Sequence, residues 1–257
     1  MNELRFDVRG NVGWLAVDRP ARRNAMSLAM WLGLPGLIKR IQDDESVRVL
    51  VLQGAQARVF SAGADIEEIE QHATDEVAAA RFMDAVEGGT EALARCPKPT
   101  IAMIRGDCIG GGVELAMACD MRFASRFSRF SIPPSKIGAL YGFGSTKRLV
   151  ELVGPGCAKD LLFSGRMFDA TEALAVGLVE RVYALEDIVA MTSAYADLLT
   201  QRSRASIAGG KQMVSGVLAG LAVDDPELRR VRIENFLGTD LKEGVRAFLE
   251  KRPPSFS

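Results

Sequence analysis

Apolar and polar residues alternate from Leu4 to Arg9 and again over residues 12–18, on either side of Gly10-Asn11. That pattern predicts an opening hairpin of two strands. Ser27 can then cap a helix running towards Gln42, and Pro35-Gly36 inside it predicts a kink or a break. Residues 47–53 (VRVLVLQ) and 99–104 are short β-branched runs bounded by glycine, as in the buried strands of a parallel or mixed sheet. Residues 75–95 between them read as a helix, and 121–124 as a further short strand followed by a polar loop rich in Ser and Pro. Beyond about Gly144 the pattern is mostly helical, over residues 145–152, 157–163, 171–176, 185–199, 203–221 and 226–236. Strands and helices alternate early and helices dominate late, which predicts an α/β core with a C-terminal helical extension.

A chain of 257 residues, 48% of them hydrophobic, can bury one full core with a small appendage. We divide it into a core over residues 1–195 and a helical region over 196–257. Lys and Arg number 32 against 33 Asp and Glu, so no basic field points to nucleic acid, and a small-molecule or protein partner is expected. No apolar run is long enough for a membrane span, and the N-terminal MNELRFDVRG lacks the apolar core of a signal peptide, so the expected location is the cytoplasm.

Cys96, Cys108, Cys119 and Cys157 have no C-x-x-C spacing and read as buried free thiols. The single histidine, His72, has no partner with which to hold a metal, and no G-x-S-x-G elbow occurs, so neither a metal site nor a Ser-His-Asp nucleophile is expected. Glu67, Glu68 and Glu70 read as a solvated helix face, and Lys147-Arg148 as surface salt-bridging residues.

Two glycine-containing segments remain: FSAGADI at 60–66 and GDCIGGGVELAMACD at 106–120, each following a strand and preceding a helix. A sharp turn at such a junction leaves the next backbone N–H groups unpaired and pointing outward at a helix N-terminus. Neither segment is a nucleotide-phosphate motif. A glycine run serves close helix–strand packing equally well, but two such junctions can converge on one carbonyl oxygen as an oxyanion hole. Glu114, two residues past Gly112, could face the same pocket as an acid/base group, or could merely complement the helix dipole.

These segments, with DRPARRNAM at 18–26, FSGRMFDATEALAVGLVERV at 163–182 and EGVRAFLEKRPPSF at 243–256, resemble the crotonase superfamily, the enoyl-CoA hydratase/isomerase family, over nearly the whole chain. The resemblance implies a crotonase (ClpP-like) fold of repeated ββα units with a C-terminal helical trimerisation region, assembled as a homotrimer or a dimer of trimers. It implies an acyl-CoA substrate, with coenzyme A part of that substrate and no separate cofactor. The N–H groups of Ala64, beside Gly63, and of Gly111, beside Gly110, would hold the thioester oxygen, and Glu114 would move the proton. Backbone around Ala21, Arg22 and Ala62 would bind the adenine and pantetheine parts, with Arg22 or Arg23 near the phosphates. Asp65, Ile66 and Pro133 would border the substrate, and Phe248 and Lys251 would reach a coenzyme A bound nearby, commonly on a neighbouring subunit.

At one position the chain departs from the hydratases it resembles: the second glutamate of their next loop is replaced by Pro134, in FSIPPSKIG. Proline can neither give nor take a side-chain proton. Tyr141, in GALYGFGS, coincides instead with a tyrosine of crotonase-type decarboxylases such as methylmalonyl-CoA decarboxylase, which has a histidine where this chain has Ala64. The reaction is therefore expected to be hydration or isomerisation, with decarboxylation or non-catalytic acyl-CoA binding as alternatives.

Overall fold

In the structure, a computed structural model, residues 3–56 and 58–256 are described. The opening hairpin forms as expected from β1 (Leu4–Arg9) and β2 (Val12–Val17), paired antiparallel. From β2 onward the larger sheet is parallel, in the order β1-β2-β3-β5-β7-β10, with β3 at Val49–Gly54, β5 at Thr100–Ile104, β7 at Met121–Ser125 and β10 at Arg181–Tyr183.

Side chains alternate along the strands, and in β2, β3, β5 and β7 both faces are buried. Leu50, Leu52, Ala102, Ile104 and Ala124 pack into the main core, while Val49, Val51, Ile101, Met103 and Phe123 form a second cluster on the opposite face. Helix α8 (Ile188–Thr200) covers that second face through Ile188 and Ala196. The expected division at 195/196 falls inside α8, whose Ala196 and Leu199 still pack with the sheet.

A second sheet, unanticipated from the sequence, joins β4 (Val59–Ser61), β6 (Asp107–Ile109), β8 (Arg129–Ser131) and β9 (Phe168–Asp169). Each of β3, β5 and β7 in the large sheet is followed by a short strand in the small one and then by helix: α2 (Ile66–His72) and α3 (Glu76–Ala94) after β4, α4 (Gly111–Ala118) after β6, α5 (Pro134–Ile137) and α6 (Phe143–Ser164) after β8. This is the ββα repeat. Helix α7 (Ala170–Ala175) leads into β10, and α9 (Arg204–Leu218), α10 (Pro226–Leu237) and α11 (Thr239–Leu249) form the C-terminal helical region.

The break expected at Pro35 does not occur. Helix α1 runs from Leu28 to Asp43 with Pro35 inside it, capped by the Ser27 hydroxyl accepting from the Met30 N–H. Six buried side chains bracket the proline: Met30, Trp31, Leu34, Leu37, Ile38 and Ile41. At about 1.5–3 kcal/mol each, their burial outweighs the roughly 3 kcal/mol that an internal proline costs. A true break lies in α6, where Gly154 takes φ 76° and ψ 162° ahead of Pro155. Among the described residues no helix is long and apolar enough to cross a membrane.

Candidate active site

The site is built where the N-terminal loop, the small sheet and helix α4 meet. Buried Asn24 donates from its amide to the carbonyls of Val59 and Phe60 at 3.0 and 3.3 Å, and the Ser61 hydroxyl donates to Asn24 O at 2.8 Å. Loop residues 18–26 are thereby pinned along β4. At the next position Met26 N–H donates to Gly63 O at 2.7 Å, and Asp65 N–H donates to Met26 O at 3.0 Å. In a trans peptide the C=O and the following N–H point in opposite directions. Because Gly63 O faces Met26, the Ala64 N–H of the same peptide faces away, into the site.

The same argument applies on α4. Gly110 O accepts from Val113 N–H at 2.8 Å and Glu114 N–H at 3.2 Å, so it points into the helix, and the Gly111 N–H points out of its N-terminus. Gly110 makes the corner with φ 51°, and the absence of a side chain at Gly112 lets α4 approach β4, where a Cβ would lie 2.6 Å from Ser61 O. The two peptides are close: a Cβ on Gly111 would lie 3.2 Å from Ala64 N and 3.2 Å from Trp31 Cζ2. Two backbone donors from separate strand–helix junctions therefore border one small space, which is the geometry an oxyanion requires.

Glu114 is buried on the same helix, one turn beyond Gly111. Burial pushes its carboxyl up to about 7, while hydrogen bonding by Ser145 and the charge of Arg148 favour the ionised form and Glu87 opposes it. A carboxyl poised there is divided between both forms at neutral pH, as a proton-transfer group should be. Ser145, Arg148 and Glu87 also line a cavity of about 360 Å³ between α3 and α6. A neighbouring cavity of about 620 Å³ between α1 and α3 is lined by Trp31, Leu32, Pro35, Val77 and, in common with the first, Asp84 and Gly88. None of these side chains stands in a local motif, and only the fold brings Ser145, Arg148 and Glu87 to bear on Glu114. Arg148 also pairs with Glu91, so its place is this pocket wall as well as a surface ion pair.

The remaining expected residues fall into three groups. Ala21 and Arg22 lie on a short 3-10 turn (Pro20–Arg22) followed by Arg23 and Asn24 at φ 52° and 58°. Arg22 is paired with Glu67 and Arg23 with Asp107, the latter at 2.7 Å, so a phosphate arriving there would compete with carboxylates. The Ala62 N–H is already given to Arg23 O at 3.0 Å, leaving its carbonyl. Asp65 caps α2 by accepting from Glu67 N–H at 3.0 Å and takes Arg19 Nη1 at 2.6 Å, which makes it a brace rather than a free group. Glu67 and Glu68 are not simply solvated as expected, since Glu68 accepts from the Leu28 N–H at the start of α1 and Glu67 ties α2 to Arg22 of the N-terminal loop.

Ile66 is 60% exposed at the start of α2. Pro133 sits beside Gly110, 3.8 Å from where a Cβ would be, and Pro134 begins α5 at the position where a missing N–H costs nothing. Tyr141 donates its hydroxyl to Gly110 O at 2.7 Å. Phe248 stands apart, in a groove of about 320 Å³ with Ser203, Leu241, Val245 and Phe256, and Lys251 follows α11 at φ 56°. Burial raises the Cys108 and Cys119 thiols, the latter to about 12, and Cys96, Cys108, Cys119 and Cys157 are all unpaired.

The two-sheet ββα repeat and the paired junctions define an enzyme of the crotonase type, and the chain belongs to the enoyl-CoA hydratase/isomerase family, whose model matches residues 7–257. A Rhizobium meliloti protein named a probable enoyl-CoA hydratase is 34% identical over 254 residues, covering 98% of this chain and 97% of its own. The crotonyl-CoA hydratase of Syntrophomonas wolfei is 32% identical, with 94% of this chain and 93% of its own covered. Among solved structures, an enoyl-CoA hydratase/isomerase family protein from Hyphomonas neptunium matches with a TM-score of 0.96 and 37% identity over 99% of this chain and 97% of its own.

Proposed function

We propose that this enzyme acts on an acyl-CoA thioester, with the Ala64 and Gly111 N–H groups holding the thioester oxygen and Glu114 as the single side chain that moves protons. The orientation of the two peptides carries this reading: Gly63 O and Gly110 O are both committed to internal hydrogen bonds, which turns both N–H groups to one space beside Trp31. On an enoyl thioester, Glu114 takes a proton from water as the water oxygen bonds to the β-carbon. The displaced π electrons move onto the thioester oxygen, and the proton returns to the α-carbon as the enolate collapses. In isomerisation the same carboxylate carries a proton between the α- and γ-carbons. Each backbone donor stabilises the enolate by about 3 kcal/mol.

Turnover of a panel of crotonyl-, 3-enoyl- and malonyl-type thioesters tests the assignment. Hydration of crotonyl-CoA or double-bond migration in the 3-enoyl thioester is expected. Carbon dioxide release from the malonyl type alone would replace the reading with decarboxylation, and no turnover at all with binding retained would leave only an acyl-CoA-binding protein.

The helical region over residues 196–257 serves, in this reading, to join subunits and to cover coenzyme A through Phe248 and Lys251. Exposed apolar side chains support it: Val217 is 77% exposed and Phe236 73%, together lining a groove between α9 and α10, and Phe248 on α11 is 82% exposed. Light scattering at micromolar concentration is expected to give a trimer or a dimer of trimers, and a monomer would overturn this part. The expected cytoplasmic location accompanies that assembly.

A further inference from the structure

The Tyr141 hydroxyl has one proton, and the structure assigns it to Gly110 O, at 2.7 Å. Gly110 C=O and Gly111 N–H are the two ends of a single peptide. Three donors converge on the carbonyl end: the Val113 N–H at 2.8 Å, the Glu114 N–H at 3.2 Å and the Tyr141 hydroxyl. The first two are ordinary features of a helix N-terminus. The third comes from a side chain about thirty residues further on, in the loop between α5 and α6, and its ring packs against the main core.

We propose that Tyr141 is a positioning residue for the oxyanion hole: by donating to Gly110 O it fixes the tilt of the 110–111 peptide and polarises it, making Gly111 N–H a stronger donor to the substrate oxygen. The inference rests on the reading that Ala64 and Gly111 hold the thioester oxygen, and it gives Tyr141 a role other than proton transfer to substrate. The physical basis is the cooperativity of hydrogen-bonded chains, in which loading an amide carbonyl strengthens donation from the N–H of the same amide by roughly 10–30% per bond. Burial, with the nearby Glu114 charge, raises the Tyr141 phenol well above its ordinary range, so the hydroxyl keeps its proton wherever the protein is folded near neutrality. Its packing supplies the rigidity that a positioning group needs, since a donor held by the core does not follow the substrate.

Tyr141→Phe keeps the ring and removes the donor. Expected are a kcat about twofold to fivefold lower and a KM changed much less. The infrared carbonyl stretch of an isotope-labelled crotonyl-CoA bound to the enzyme should also move back towards its value in free solution. That band reads the strength of donation to the thioester oxygen, which a loss of packing alone would not shift in a set direction. Replacing Tyr141 with a ring-difluorinated tyrosine, a stronger hydrogen-bond donor, should shift the band the opposite way from wild type, and it keeps the test open if Tyr141→Phe folds poorly. Gly111→Ala separates the two levels of the argument. If Gly111→Ala collapses rate and band shift while both Tyr141 variants match wild type, Tyr141 has no such role. If Gly111→Ala itself leaves the rate and the band unchanged, the oxyanion assignment fails first.

Discussion

Gly111→Ala is expected to lower kcat by at least a hundredfold with the fold intact. The added methyl group would stand 3.2 Å from Ala64 N and 3.2 Å from Trp31 Cζ2, in the space where the proposed function seats the substrate oxygen. Loss of one such donor costs roughly 10²–10³ in rate, and blocking the space between two donors should cost no less. Alanine is the better helix former by up to about 1 kcal/mol, so the first turn of α4 has no conformational reason to unravel. Steady-state turnover and the melting temperature, measured together, check this: a folded variant with wild-type turnover would remove the backbone of α4 from the mechanism.

Glu114→Gln should retain acyl-CoA binding and lose at least the roughly hundredfold typical of a general acid/base, and it should also remove a pH limb from both activity and stability. The fold holds the Glu114 carboxyl at about 7, above its ordinary 4.5. The protonated form is therefore the one the fold tolerates. Below the unfolded value there is no penalty; as pH rises through the interval from 4.5 to about 7 the buried group must charge, and stability falls by about 3 kcal/mol before levelling off. The difference in denaturant midpoint between wild type and variant should open across that interval in favour of the variant. For hydration, in which the carboxylate takes the first proton, kcat/KM of wild type should rise through about 7. A variant with an unchanged rate would send the proton chemistry to another group, and an unchanged stability difference would mean that Glu114 is solvated.

What the sequence disclosed followed the length of each signal. Ser27 marked the start of α1 because an N-cap is a local interaction; α3 was read from residue 75, and there Asp75 accepts from the Val77 and Ala78 N–H groups. The two glycine junctions were also legible, since each is a contiguous motif. The small sheet was not: β4, β6 and β8 have three residues each and β9 two, too few to show a period of two. Of the kink or break expected at Pro35, the break is absent because local propensity ignores the six buried side chains around it. Glu87, Ser145 and Arg148 could not be connected to Glu114 from spacing, because three different helices bring them together. The hydroxyl of Tyr141 was legible as a residue near the site, but its direction, towards a backbone carbonyl, depends on the loop that follows Gly138.

Strands β4 and β6 are parallel hydrogen-bonded neighbours, with Val59 opposite Asp107 and Ser61 opposite Cys108 across an irregular step in register, so the two proposed donors follow adjacent strands of one sheet. Both are main-chain groups, so a substitution reaches them only by moving the backbone, as loss of the Tyr141 contact to Gly110 O would. The proposed hole thus belongs to the framework, whereas the groups that would select the reaction, around residues 84–91, 133–135 and 142–148, sit on helices and loops outside it. A directed-evolution campaign on this scaffold should accordingly find new chemistries by randomising those three stretches, while libraries covering residues 61–64 and 110–112 should return mostly inactive clones.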